Sequence, residues 1–344
     1  MTTLYLIRHA EAEGNLYRRA QGHFNSTITD RGYLQLGALS RRFRDVPVDA
    51  VYASDLYRAQ TTAQAVARPH GLSVQTTPLL REVGIGVWEN HTWAWLGYAE
   101  REKLVQFNTY PKEWHVEGSE DIRAVIGRMR RAVQQAVEAY PDGTVAMVSH
   151  GMALRLLIAS LQGLNDEEYN ASGHAENTAV TRVEAENGTY RVLYRDDDSH
   201  LPDELTSLRK QSWWQYAGGL EQGGIHYEEA GENAYDVCRD AEKIGHLRFH
   251  REGSAGVIDE YFLLPQERGK GYGVQPIGQV LTCCRPFGCD TLRVTVPKDN
   301  PLAEKRFRSY GFAPCGETAD GTVLEIYFGY AEEHREKKLR EVIK

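Results

Sequence analysis

Cysteine is scarce in this chain, five in 344 residues. All lie in the last third, at 238, 283, 284, 289 and 315, an odd number without a C-x-x-C pair. That excludes a disulfide framework and a zinc site of paired-thiolate spacing, and leaves reduced thiols in a cytoplasmic protein as the plain reading. Long apolar runs are missing as well. The richest, MALRLLIASL, is short and carries Arg155, and no basic-then-apolar leader precedes the first strand-like run. Neither secretion nor membrane spanning is expected. Basic excess is also absent: 40 Lys and Arg stand against 48 Asp and Glu, a net charge of -8. This argues against nucleic-acid or anionic-membrane partners, so any anion site must be a local pocket. There is no internal repeat and no low-complexity tract. At 344 residues the chain exceeds one typical core, and two domains are expected.

Three short apolar runs, 3–7, 48–53 and 144–149, are each followed by a polar turn and a helix-like segment. This is the α/β pattern of parallel strands. Each run ends in chemistry: IRHA, YASDLYRA and VSHGMALR. Ligands of open α/β sheets sit beyond the carboxyl ends of the strands, so Arg8, His9, Arg58 and His150 can reach one crevice. Asn187-Gly188 suits a tight turn between two alternating segments, predicting an antiparallel hairpin at the sheet edge. A histidine alone at a strand end is most often structural. Arg58 is odder: with Ser54 or Asp55 as the cap, it falls in a helix first turn, where the macrodipole disfavours a cation. A bound anion would remove the conflict; so would pairing with Asp55 or a swing into solvent.

The first ~205 residues resemble the histidine phosphatase superfamily, with its phosphoglycerate-mutase-like fold. LYLIRHAEAEGN resembles the nucleophile motif and ITDRGYLQ the element after it. YASDLYRAQTTA resembles the second-arginine motif, LREVGIGVWEN the acid motif, and VAMVSHG the second-histidine motif. The resemblance implies His9 as phosphate-accepting nucleophile, Arg8, Arg58 and His150 as the phosphate pocket, and Glu82 as the proton donor to the leaving oxygen. It implies Asn15 and Gln21 as phosphate or substrate contacts, and neither metal nor cofactor for this domain. Ala10 and Asn90 replace glycines of the family pattern. The compact stretch between Glu82 and His150 favours hydrolysis of a small-molecule phosphomonoester over mutase transfer. That stretch holds Trp88, Trp93, Trp95, Tyr98, Phe107, Tyr110 and Trp114, either a cap selecting an apolar ester or the core of a helical subdomain. His91, His115 and His174 lack metal-ligand spacing.

Residues 206–222 read as a connector, with Gly218-Gly219 as hinge and Trp213-Trp214 docked between domains. Beyond it, strand-like runs at 234–250, 254–264, 290–297 and 322–329 surround two helices, predicting a smaller α+β domain. One helix carries Ile277, Val280, Leu281 and Cys284 on one face; the other starts with Asn300 as cap and Pro301. LLPQERGKGYGVQP follows a strand and opens a helix whose exposed amides suit a pyrophosphate. This loop and NPLAEKRFRSYGF resemble the GCN5-related N-acetyltransferases (GNAT). The resemblance implies acetyl-CoA as cofactor, held by Leu263, Arg268, Gly269, Lys270, Gly271, Tyr272, Gly273 and Asn300, with an amine as acceptor. Phe307 stands where that family carries the tyrosine acid, so acetyl-CoA binding is a firmer expectation than transfer. Glu260 is a candidate base, and no role falls to Tyr310. The expected architecture is a phosphoglycerate-mutase-like three-layer α/β sandwich over 1–205, a linker over 206–222 and a GNAT-like domain over 223–344. The expected chain is bifunctional; the alternatives are a mutase, or a phosphatase regulated by a non-catalytic acetyl-CoA sensor. The terminal AEEHREKKLREVIK reads as a charged helix, either solvated or paired with a partner.

Overall fold

The structure, a computed structural model, describes residues 1–209 and 224–343. The first unit runs β1 (Thr2–Arg8), α1 (Glu13–Leu16), α2 (Asp30–Phe43), β2 (Ala50–Ser54), α3 (Tyr57–Ala67), β3 (Val74–Thr77), α4 (Trp93–Ala99) and α5 (Arg101–Thr109). It continues with α6 (Ile122–Ala139), β4 (Thr144–Ser149), α7 (Gly151–Gln162), α8 (Asp166–Ala171), β5 (Val180–Glu186) and β6 (Thr189–Asp197). These strands form a six-stranded sheet in the order β3-β2-β4-β1-β5-β6. The three apolar runs are its parallel centre, β2, β4 and β1. They read as continuous apolar runs because both faces are covered. Leu4 and Leu6 face one core with Val145, Met147 and the α6 and α7 residues. Tyr5 and Ile7 face the other with Ala146, Val148 and the α2 and α3 residues. The β5–β6 hairpin turns at Asn187-Gly188, both at positive φ, and ends the sheet as expected.

The described part of the expected connector lies against this unit: Thr206 and Ser207 are buried, and Ser207 Oγ donates to Glu11 Oε2 at 2.9 Å. Trp213-Trp214 and Gly218-Gly219 lie outside the described residues. The second unit runs β7 (His226–Gly231), β8 (Ala234–Arg239), β9 (Glu242–Glu252), β10 (Ala255–Leu263), α9 (Gln275–Cys284), β11 (Thr291–Pro297), α10 (Pro301–Ser309), β12 (Ala313–Glu317), β13 (Gly321–Tyr327) and α11 (Glu332–Val342). Its sheet has the order β12-β13-β11-β10-β9-β8-β7. The run at 234–250 is two strands, turning at Asp240 with φ +49°. Ile277, Val280, Leu281 and Cys284 are all buried, and Asn300 Oδ1 accepts from the Ala303 N–H.

The two units are packed together. Tyr17, just after α1, is buried in the second unit's core, and Gly278 on α9 makes room for it: a Cβ there would lie 2.4 Å from the Tyr17 Cβ. Helix α11 departs from the solvated reading. Leu339 is fully buried in the α2–α3 core, while Lys338 reaches Asp30 at 2.7 Å and Glu336 pairs with Arg68. One deep apolar residue and a few ion pairs are enough to dock a helix whose composition is otherwise charged. No helix among the described residues is long and apolar enough to cross a membrane, and all five cysteines are free.

Candidate active site

Parallel pairing fixes the site before any side chain is considered. β1 and β4 are neighbours with Arg8 opposite Ser149, so His9 and His150 leave the sheet side by side. Their ring centroids are 5.2 Å apart. His9 Nδ1 lies 2.7 Å from the Ala10 carbonyl oxygen. A carbonyl can only accept, so Nδ1 carries the proton and Nε2 keeps its lone pair. Burial, then the Arg58 and Arg8 charges, hold the His9 pKa well below the ordinary histidine value. Burial, Arg58 and His9 do the same to His150. Both imidazoles are therefore neutral at physiological pH.

Arg58 and His150 are each fully buried. Arg58 Nε donates to His150 Nδ1 at 3.2 Å, which leaves the proton of the neutral ring on Nε2. That Nε2 has no partner among the described residues, and neither does the buried Nε of Arg8. Two unpaired buried donors beside a neutral imidazole are an arrangement that an oxyanion completes. The remaining Arg58 donors go to the carbonyls of Phe24 and Gly22, each at 2.8 Å, and of Gln21 at 3.3 Å. These carbonyls relieve the conflict between the Arg58 charge and the α3 macrodipole. Asp55 pairs with Arg81 instead. The same 22–24 loop is gripped from its other side by Glu89, whose carboxylate accepts the N–H groups of Gly22, His23 and Phe24. Only glycine fits at 22, since a Cβ would lie 2.4 Å from Glu89 Oε1.

Glu82 reaches the site from sixty-eight residues before His150. Its Oε1 accepts from the Val83 and Ala153 N–H groups and its Oε2 from Met152 N–H, at 2.8–3.0 Å. Helix α7 has no side-chain cap of its own, so Glu82 serves as one. Arg8, His9, Asn15, Gln21 and Glu82 line a single cavity of about 160 Å³, below the ~300–1,000 Å³ of drug-sized sites. Arg58 and His150 are buried beside it rather than lining it. Asn15 Oδ1 accepts from the Ala12 N–H, and Gln21 Oε1 accepts from the Ser26 hydroxyl.

Several lining residues carry no motif. Asn177 donates to the His9 carbonyl at 2.9 Å, and its neighbour Thr178 sits at φ +61°, a strained conformation for a β-branched residue. His174, its pKa pushed down to about 3 chiefly by burial, also faces the cavity. So do Arg18, Arg19, Trp93 and Phe107. The aromatic cluster thus divides. Trp88, Phe107 and Trp114 are core, Trp93 and Phe107 touch the cavity, and Tyr98 and Tyr110 are half-exposed. Asn90 adopts φ +63°, where glycine and asparagine are most at ease. Its side chain accepts from Arg19 Nε at 2.7 Å and from Thr282 of the second unit at 3.3 Å. Arg19 Nη1 also donates to Gln279 of α9 at 3.0 Å. The departure at Asn90 is thus a point where the second unit touches the cavity wall.

In the second unit, β10 and β11 pair in parallel only from Ala255–Ile258 to Thr291–Val294, then part after a bulge between Ile258 and Glu260. Leu263 ends β10, and Arg268 Nε donates to its carbonyl at 2.9 Å. Gly269 and Gly271 lie at φ +79° and +86° with open space where a Cβ would stand. Tyr272–Val274 form a single 3-10 turn leading into α9, and Lys270 pairs with Glu267. A glycine loop between a strand end and a helix start, beside two diverging strands, offers backbone amides to an anion such as a pyrophosphate. Phe307 is buried among Tyr261, Tyr310 and Phe312, and Glu260 pairs with Arg248. The Tyr310 hydroxyl lies against Gly273, where a Cβ would be 2.6 Å from it.

Comparison with known proteins matches residues 4–198 to the histidine phosphatase superfamily (branch 1) and residues 190–312 to the acetyltransferase (GNAT) family. A probable phosphoglycerate mutase GpmB of Erwinia tasmaniensis is 32% identical over 221 residues, covering 59% of this chain and 96% of the relative. Among solved structures, Bacillus stearothermophilus YhfR superposes with a TM-score of 0.56 at 30% identity, over 58% of this chain and 99% of its own. A mycobacterial glucosyl-3-phosphoglycerate phosphatase gives 0.51 at 25%, over 57% and 99%.

Proposed function

The chain belongs to the histidine phosphatase superfamily (branch 1), and from that premise we propose that its first unit hydrolyses small phosphomonoesters through a phosphohistidine at His9. The observation that carries the proposal is the neutral, Nδ1-anchored His9 beside the unpartnered donors of Arg8 and His150. In the first step the Nε2 lone pair attacks phosphorus and the ester P–O bond breaks. Glu82, in its acid form, gives its proton to the departing alkoxide. In the second step the Glu82 carboxylate takes a proton from water, whose oxygen attacks phosphorus as the N–P bond breaks. This returns neutral His9 and releases phosphate. Arg8 and His150 donate to the phosphoryl oxygens where charge gathers, the largest expected contribution to rate. Arg58 acts through its charge, through the His150 tautomer and through the 21–24 loop. Asn15 and Gln21 contact the substrate.

For the second unit the reading is acetyl-CoA binding by Leu263, Arg268–Gly273 and Asn300, supported by the parted strands and the left-handed glycines. When bound, acetyl-CoA supplies an activated acyl group for an amine. This chain's own residues would seat its pyrophosphate on backbone amides ahead of α9. The proposed setting is cytoplasmic, and the proposed domain limits are 1–205, 206–222 and 223–344. A mutase is the competing reading for the first unit, favoured by the similarity to proteins named as probable phosphoglycerate mutases. A metabolite phosphomonoester panel, with and without acetyl-CoA and with no metal added, tests the proposal. Phosphate release that His9→Ala abolishes supports hydrolysis. Isomerised phospho-product without phosphate release replaces it with the mutase. Activity surviving in His9→Ala overturns both.

A further inference from the structure

The β7–β8 hairpin carries a group of side chains that neither proposed activity uses. His226 and Glu228 are two apart on β7 and so share a face, and Cys238 on β8 is the cross-strand partner of His226. One ligand atom of each, an imidazole nitrogen, a carboxylate oxygen and the thiol sulfur, lies within 4.8 Å of the other two. His226 is 1% exposed, yet neither ring nitrogen has a hydrogen-bond partner among the described residues. The nearest carboxylate, Oε1 of Glu228, is 3.7 Å from Nε2. Tyr98 of the first unit stacks on the ring, with centroids 5.1 Å apart and planes 13° from parallel. An imidazole buried with both nitrogens unmatched is uncommon, because a buried polar group without a partner has lost its water and gained nothing in return. A ligand that takes a nitrogen lone pair removes one of those losses.

We propose that His226, Glu228 and Cys238 bind one zinc ion at the junction of the two units. A soft thiolate, an imidazole and a carboxylate are the donor set that zinc accepts with a fourth position open to water. The charges balance: binding displaces the Cys238 proton to solvent, and thiolate and carboxylate together offset the 2+ ion. Tetrahedral coordination brings donor atoms to about 3.5 Å from one another. Glu228 can supply the closure because it is exposed and, among the described residues, its one ion pair is with His226. The bound ion would cross-link β7 to β8 and hold the His226 ring under Tyr98. C-x-x-C spacing is not needed, since strand pairing brings the ligands together.

Cobalt(II) is the probe, titrated into the full chain after stripping with a chelator. The expected result is one equivalent bound with a thiolate-to-cobalt charge-transfer band that zinc abolishes. Cys238→Ser removes the band. His226→Gln and Glu228→Gln each weaken binding at least tenfold. Glu228→Gln, at an exposed position, keeps the test valid if a buried variant fails to fold. No stoichiometric cobalt binding, or a band that persists in folded Cys238→Ser, or affinity unchanged in Glu228→Gln, overturns the proposal.

Discussion

Arg285→Met tests whether the second unit braces the catalytic cavity. The Arg285 guanidinium spans the two units, donating to both Glu13 oxygens at 2.8 and 3.0 Å and to the Phe328 carbonyl at 2.9 Å. The Arg285 and Glu13 side chains are only 15% and 9% exposed. Removing one partner of a buried pair costs about 3–5 kcal/mol, since the other charge stays buried without it. Glu13 keeps the Thr27 hydroxyl at 2.9 Å and its N–H at 3.3 Å, which puts the cost near the lower end. Methionine keeps an apolar stem of similar length but removes the guanidinium, whose Cζ lies 5.0–5.8 Å from the centroids of the Phe24, Phe328 and Tyr330 rings, so the loss is chiefly electrostatic. At about 2–4 °C per kcal/mol, a loss of about 3 kcal/mol lowers Tm by about 6–12 °C. Glu13 opens α1, and the next two residues, Gly14 and Asn15, line the cavity. KM for an aryl phosphate is therefore expected to rise about tenfold, with kcat changed less. Scanning calorimetry and steady-state kinetics on the same preparation read both effects, and Glu13→Gln in the Arg285→Met background should recover part of the Tm. A variant that melts with wild type and keeps its KM would refute the bracing argument.

The other predictions concern single groups. Glu82→Gln should slow phosphoenzyme formation from alkyl phosphates by about 10²–10⁴-fold while sparing that step for esters whose leaving group needs no proton, as single-turnover rates over a leaving-group series would register. Acid should destabilise the fold. His9, His150, His174 (about 3) and His200 (about 4) all have folded pKa values below the ordinary 6.5. Between those values and 6.5 the unfolded chain binds more protons. Stability therefore falls as pH falls below 6.5, by up to about 1.4 kcal/mol per unit for each histidine. Urea melts from pH 7 to 5 measure the slope, and His200→Gln should reduce it. Gly271→Val should weaken acetyl-CoA binding at least tenfold by calorimetry, and backbone strain at its positive φ should lower Tm by a few degrees. The site at φ +86° has room for a side chain but not for a β-branched backbone.

Legibility of the sequence followed the range of the contact. β1, β2 and β4 could be read because burial on both faces makes them unbroken apolar runs. The edge strand β3, VQTT, has no fully buried residue and so no such signature. His9 and His150 were visible as strand-end chemistry, and parallel pairing does the rest. Glu82 was not, because what distinguishes it from other glutamates is the start of a helix that lies far along the chain. Only resemblance to a family could select it. Arg58 is anomalous in the sequence as a cation in a helix first turn, but its remedy is a set of carbonyls in a loop that glycine and Glu89 hold in place. The contacts of Asn90 and Arg19 with α9 depend on how two units pack, and no local pattern encodes that. The His226 group was hidden for a similar reason: its third member comes from the neighbouring strand.

The central claim is that His9 Nε2 becomes covalently phosphorylated during turnover. Rapid acid-free quench of the enzyme with a ³²P-labelled monoester, followed by peptide mapping, tests it most directly. The expected label lies on His9, survives alkali, is lost in acid, is absent from His9→Ala and accumulates in Glu82→Gln with an activated ester. Steady release of phosphate with no label on His9, or label on another residue, would contradict it.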